Sequence, residues 1–67
     1  MQLSGRNKLF GEVTEIKRGD VVCEVVIQAG TNQIAGVITT TSVEDMNLQI
    51  GDQVTALIKA TEVSFIK

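Results

Sequence analysis

The run Val21-Val22-Cys23-Glu24-Val25-Val26-Ile27-Gln28 constrains this chain more than any other segment. Branching at Cβ suits a pleated strand better than a helix. Side chains alternate across a strand, so Val21, Cys23, Val25 and Ile27 share one face. The other face carries Val22, Glu24, Val26 and Gln28, a mixture of apolar and polar groups. A strand apolar on one side and half apolar on the other fits a barrel interior and a subunit contact.

The rest of the chain follows suit. Leu9, Val13 and Ile16 recur within Asn7–Arg18 with imperfect alternation, and residues 33–39, 53–60 and 61–66 predict three further strands. Gly19-Asp20 predicts a two-residue hairpin, because Gly accepts the positive φ of primed turns. Gly30-Thr31-Asn32 and Gly51-Asp52 mark two more turns. Only Thr41-Ser42-Val43-Glu44-Asp45-Met46 breaks the pattern. Ser42 as a cap, followed by acids, predicts a short helix with Val43 and Met46 toward the core and Asn47 closing it in the left-handed conformation. Five short strands with one short helix between the third and fourth give an all-β, OB-like barrel. It forms a single domain over residues 1–67.

A domain of 67 residues has a thin stability margin and usually needs a staple. The single Cys23 rules out an intrachain disulfide, and a chain without His offers no plausible zinc cluster. Self-association is therefore the expected staple. No window reaches the length of a membrane span, and Met1-Gln2-Leu3-Ser4 lacks the basic and apolar regions of a signal peptide. A cytoplasmic location is expected, and a single reduced thiol fits it.

Catalysis is not expected. Without His, general acid–base chemistry needs carboxylates in contrasting environments, and the eight acids are scattered through strands and turns. Cys23 lies in the most apolar strand, where a thiol acts as a small hydrophobe. OB-like barrels often stack single-stranded bases on aromatic side chains, but here only Phe10 and Phe65 are aromatic. A net charge of −2 also disfavours a polyanion.

What remains is a set of short polar donors. Ser4-Gly5-Arg6-Asn7 opens the first strand, Thr39-Thr40-Thr41-Ser42 opens the helix, and Lys59-Ala60 closes the fourth strand. A tetrahedral dianion presents only acceptors, so it needs N–H and O–H donors with some positive charge. Arg6 and Lys59 supply charge, and Ser4, Asn7, Thr39 and Ser42 supply neutral donors. Gly5 lets backbone approach a ligand closely, and N–H groups at the helix start would add a favourable dipole. No acid precedes Glu44 in these stretches. Such a site suits fully ionised sulfate, molybdate or tungstate better than phosphate, which keeps a proton part of the time. The same residues also have ordinary structural uses: Ser42 as a cap, Thr39 as a strand end, Lys59 as a solvated side chain.

Ser4-Gly5-Arg6-Asn7 with Leu9 and Gly11, Ile38-Thr39 with Ser42, and Ile58-Lys59-Ala60 with Val63 stand in an order and spacing that resembles the molbindins, or Mop proteins. The related Mop/TOBE domains of molybdate regulators and molybdate-transport ATPases share it. The resemblance covers nearly the whole chain. It implies an OB-like barrel that assembles through strand exchange into a homohexamer, a trimer of dimers. It further implies molybdate or tungstate as the bound ligand, held at subunit interfaces for storage or homeostasis, with no organic cofactor and no nucleic-acid or membrane partner. Ser4, Arg6, Asn7, Thr39, Ser42 and Lys59 match anion-contacting positions of that family. Ala60 stands where some members have Ser and offers only its backbone N–H; Gly5 stands where Ala is common. Two alternatives remain: a TOBE-like regulatory or accessory module acting in trans, and an OB-like nucleic-acid binder.

Overall fold

The computed structural model describes residues 7–67. The elements are β1 (Asn7–Arg18), β2 (Val22–Ala29), β3 (Asn32–Thr39), α1 (Thr40–Asp45), β4 (Gln53–Ile58) and a 3-10 turn (Ala60–Glu62). All ladders are antiparallel, in the order β3-β2-β1-β4. The fold is mostly β with one short helix between the third and fourth strands, as the sequence predicts.

β1 organises the sheet because it serves two neighbours. Its first half pairs with β4, from Asn7↔Ile58 to Glu12↔Gln53, and its second half pairs with β2, from Glu12↔Gln28 to Arg18↔Cys23. A bulge between Val13 and Glu15 leaves Thr14 as the extra residue, which bends the strand and explains its imperfect alternation. Gly11 lies where the backbone of β2 closely approaches β1. A Cβ there would sit 2.4 Å from the Gln28 carbonyl oxygen.

Val13, Cys23, Val25, Ile27 and Val43 form the buried core. Three of the four residues assigned to the inner face of the second strand are among them. Val21 is not: it lies before β2 begins and is exposed. Its position follows from the β1–β2 connection, which runs through Gly19, Asp20 and Val21 instead of a two-residue turn. Gly19 has no positive φ. It is needed for space, since a Cβ would lie 2.5 Å from the Val22 carbonyl oxygen. Gly30, by contrast, turns at φ 64 as expected.

The helix begins earlier than the sequence predicts, and its cap is Thr39, whose side chain accepts the Ser42 N–H. Glu44 and Asp45 therefore fall beyond the first turn. Substituting such a cap costs about 1 kcal/mol. Val43 plugs the core, but Met46 is exposed. After α1, Asn47 takes φ 50 and the chain doubles back, with Leu48 N–H donating to the Val43 carbonyl at 3.0 Å. Leu48 then packs on the core in the place expected for Met46.

The predicted fifth strand, residues 61–66, is absent as a strand. β4 ends at Ile58, the chain makes the 3-10 turn closed by Glu62 N–H donating to the Lys59 carbonyl at 2.9 Å, and no ladder follows. The connection Lys59-Ala60-Thr61-Glu62 contains no Gly or Asn, the residues on which tight hairpins reverse. Strand propensity alone does not make a strand without a neighbouring edge to pair with.

Candidate functional site

The candidate donors within the described residues fall into two clusters. Ser4, Gly5 and Arg6 lie outside the described residues. Asn7, Lys59 and Ala60 come together because β1 and β4 are paired at Asn7↔Ile58. The Asn7 amide Nδ2 donates to the Ile58 carbonyl at 3.1 Å. That bond uses one of its two N–H groups. Lys59 follows directly at the N-cap of the 3-10 turn, with extended backbone (φ −64, ψ 141) and an exposed side chain. Among the described residues it makes no ion pair. Ala60 opens the turn, where a backbone N–H has no acceptor within the turn.

The second cluster is Thr39 and Ser42. Thr39 Oγ1 accepts the Ser42 N–H at 3.0 Å and donates its own hydrogen to Ser42 Oγ at 2.8 Å. The Ser42 hydroxyl hydrogen is then the one left to offer a ligand, and accepting from Thr39 makes it a stronger donor. The expected backbone contribution is smaller than the sequence predicts. Thr40 N–H donates to the Val21 carbonyl at 2.8 Å and Ser42 N–H is engaged by Thr39. Hydroxyls, more than backbone amides, define this end.

Two residues that sequence reasoning passed over hold this cluster in place. Thr40 Oγ1 donates to the Gly19 carbonyl at 2.7 Å and lies 3.3 Å from Cys23 Sγ, which ties the helix start to the β1–β2 connection and to the core. Arg18 Nη2 donates to Glu44 Oε2 at 3.2 Å. This half-exposed pair contributes little to stability, but it places a guanidinium beside the carboxylate of Glu44, which lies two residues after Ser42. The antiparallel pairing of Arg18 with Cys23 and of Thr39 with Val22 was the signal that could have found it.

The two clusters lie at opposite ends of β1. Asn7 begins the strand, and Thr39 pairs with Val22 beside its last residue, Arg18. A twelve-residue strand covers roughly 35 Å along its path. The bulge bends that path within a molecule 33 Å along its longest axis, and among the described residues no hydrogen bond links the two clusters. Neither cluster surrounds a ligand alone, and among the described residues no group of three or more His, Cys, Asp and Glu could hold a bare metal ion. No helix of the described residues is long and apolar enough to cross a membrane.

The TOBE domain model matches residues 3–65. The chain is 40% identical over 67 residues to molybdenum-pterin-binding protein 1 of Clostridium pasteurianum, covering 98% of each. The molybdate binding protein of Sporomusa ovata has the same fold at a TM-score of 0.92 and 45% identity, over 100% of both chains. The cytoplasmic molybdate-binding protein ModG, solved with molybdate bound, aligns at a TM-score of 0.84 and 33% identity, over 92% of this chain and 45% of that one.

Proposed function

We propose, from the premise that this chain belongs to the TOBE domain family, that it binds molybdate or tungstate reversibly in the cytoplasm, in storage or homeostasis and without catalysis. Its sites form between subunits of a homo-oligomer, a hexamer built as a trimer of dimers. One subunit contributes Asn7, Lys59 and the Ala60 N–H together with Ser4, Gly5 and Arg6; another contributes Ser42, held by Thr39. The observation that carries this reading is the full-length likeness to the Sporomusa molybdate binding protein.

Three features of the chain support it. The donors are split between two ends of the molecule, which a shared site reunites. Arg6 and Lys59 give the shared site local positive charge in a chain whose net charge is −2. The surface is also larger than a compact monomer of this mass usually exposes. The chain exposes 5373 Å², against about 4100 Å² for a compact monomer of 7.2 kDa. The excess of about 1300 Å² is larger than the ~800 Å² that each partner buries in a standard interface.

Titration calorimetry with molybdate, tungstate, sulfate and phosphate tests the reading. Molybdate and tungstate are expected to bind at micromolar protein, with phosphate at least tenfold weaker because its proton finds no acceptor. Absence of heat with both metalates removes the reading.

A further inference from the structure

We infer that Arg18 sets the ligand charge this protein accepts: paired with Glu44, it offsets the carboxylate that follows Ser42 and lets a doubly charged oxyanion settle at the hydroxyl cluster, without itself touching the anion. The inference rests on the oxyanion reading above and adds a specificity-determining residue to it.

The fold brings Arg18 to that cluster from far along the chain. Arg18 is the last residue of β1 and pairs with Cys23, while Val22 pairs with Thr39. The ends of β1 and β3 therefore flank the start of β2. The helix start is tied to the connection that leaves Arg18: Thr40 N–H donates to the Val21 carbonyl at 2.8 Å, and Thr40 Oγ1 donates to the Gly19 carbonyl at 2.7 Å. From this anchored position Arg18 Nη2 donates to Glu44 Oε2 at 3.2 Å, across 26 positions of sequence. It is the only ion pair among the described residues.

The pair matters through charge and little through stability. Both side chains are more than half exposed, and one N–H meets one carboxylate oxygen, a contact that adds little to the fold. Ser42 and Glu44 are two apart in α1, so their side chains leave the helix on different sides. Glu44 therefore acts on an anion at Ser42 by its field and not as a bonded neighbour. That field reaches across a helical turn, because the screening length at ordinary ionic strength is about 8 Å. The repulsion is proportional to ligand charge, so a dianion feels it twice as strongly as a monoanion. Asp45 follows Glu44, Asp20 lies in the β1–β2 connection, and Lys17 pairs with Glu24 across the β1–β2 ladder. Acids outnumber bases at this end, and Arg18 is the cation bonded to the acid closest in sequence to Ser42.

The test uses tungstate and perrhenate, tetrahedral ions of similar size that differ by one charge. Calorimetry on the full-length protein reads tungstate directly and perrhenate by competition, and circular dichroism verifies folding. Arg18→Gln is expected to weaken tungstate binding about three- to tenfold, and Glu44→Gln to tighten it by a similar factor. The double variant is expected to return to within about twofold of the wild type, since both charges are gone. Arg18→Lys keeps the charge and is expected to recover most of the affinity that Arg18→Gln loses. The preference for tungstate over perrhenate is expected to fall in Arg18→Gln.

A double variant as weak as Arg18→Gln would make Arg18 a direct ligand and overturn the inference. Arg18→Gln, Glu44→Gln and the double variant all weakened alike would show that the pair only holds the structure, which overturns it too. So does an equal loss for tungstate and perrhenate in Arg18→Gln. If Arg18→Gln does not fold, Glu44→Gln decides, and tungstate binding that is unchanged or weaker there contradicts the charge argument. A wild type that binds neither tungstate nor molybdate instead defeats the oxyanion reading itself.

Discussion

Lys59→Ala is expected to weaken molybdate binding about 10- to 100-fold while leaving the fold intact. The magnitude follows from the ~1.5–3 kcal/mol carried by a hydrogen bond to a charged partner. Lys59 is exposed and, among the described residues, makes no ion pair, so its removal strands no buried partner. Lys59→Arg keeps the charge but replaces a point donor with a planar fork, and is expected to recover only part of the affinity. Calorimetry of the three proteins, with circular dichroism to verify folding, checks this. Equal affinity in wild type and Lys59→Ala would remove the residue from the site.

The second large effect concerns the fold. Gly11→Ala is expected to destabilise the chain by about 3 kcal/mol, at the upper end of what overpacking a core costs. The added Cβ would lie 2.4 Å from the Gln28 oxygen and 2.9 Å from its carbonyl carbon. Both are backbone atoms of a paired strand and have no rotamer by which to retreat. β1 and β2 must separate, and the pairing of β1 with both neighbours loosens with them. Domains hold only about 5–15 kcal/mol of net stability, so the change removes a large share. Chemical denaturation of Gly11→Ala beside Gly36→Ala gives a matched control, because nothing lies within 4 Å of a Cβ built at Gly36. Similar midpoints for the two variants would contradict the close approach.

The contrast between these glycines shows what the sequence displays and what it hides. The alternation of Cys23, Val25 and Ile27 identifies the inner face directly, since period two leaves only two choices. The place of the short helix was legible for a similar reason: Thr41 to Met46 interrupts every strand pattern around it. Its cap was not, because Thr39 and Ser42 are both good caps and only the backbone shows which one accepts the N–H. Gly11 gave no signal, since its demand is for space against Gln28, seventeen residues away. The fifth strand failed for a deeper reason. Residues 61–66 carry strand-forming side chains, but a strand is a relation between neighbours, and this chain offers them no edge they can turn back to reach.

The candidate site divides along the same line. Donor types and the absence of acids were visible in Asn7, Thr39, Ser42 and Lys59. Their separation by the length of β1 was not, because it depends on which strands pair and in what register. Nor was the Thr39–Ser42 hydrogen bond, which leaves Ser42 as the hydroxyl with a hydrogen to offer and makes Thr39 its support.

The central claim is that two copies of the chain build one oxyanion site from opposite ends of their first strands. Crystals grown with tungstate test it most directly, because the heavy atom can be located by its anomalous scattering. The account predicts tungsten between subunits, with Lys59 and Asn7 of one copy and Ser42 of another within hydrogen-bond distance of its oxygens. Tungsten bound wholly within one subunit, or at a position remote from both clusters, would contradict it.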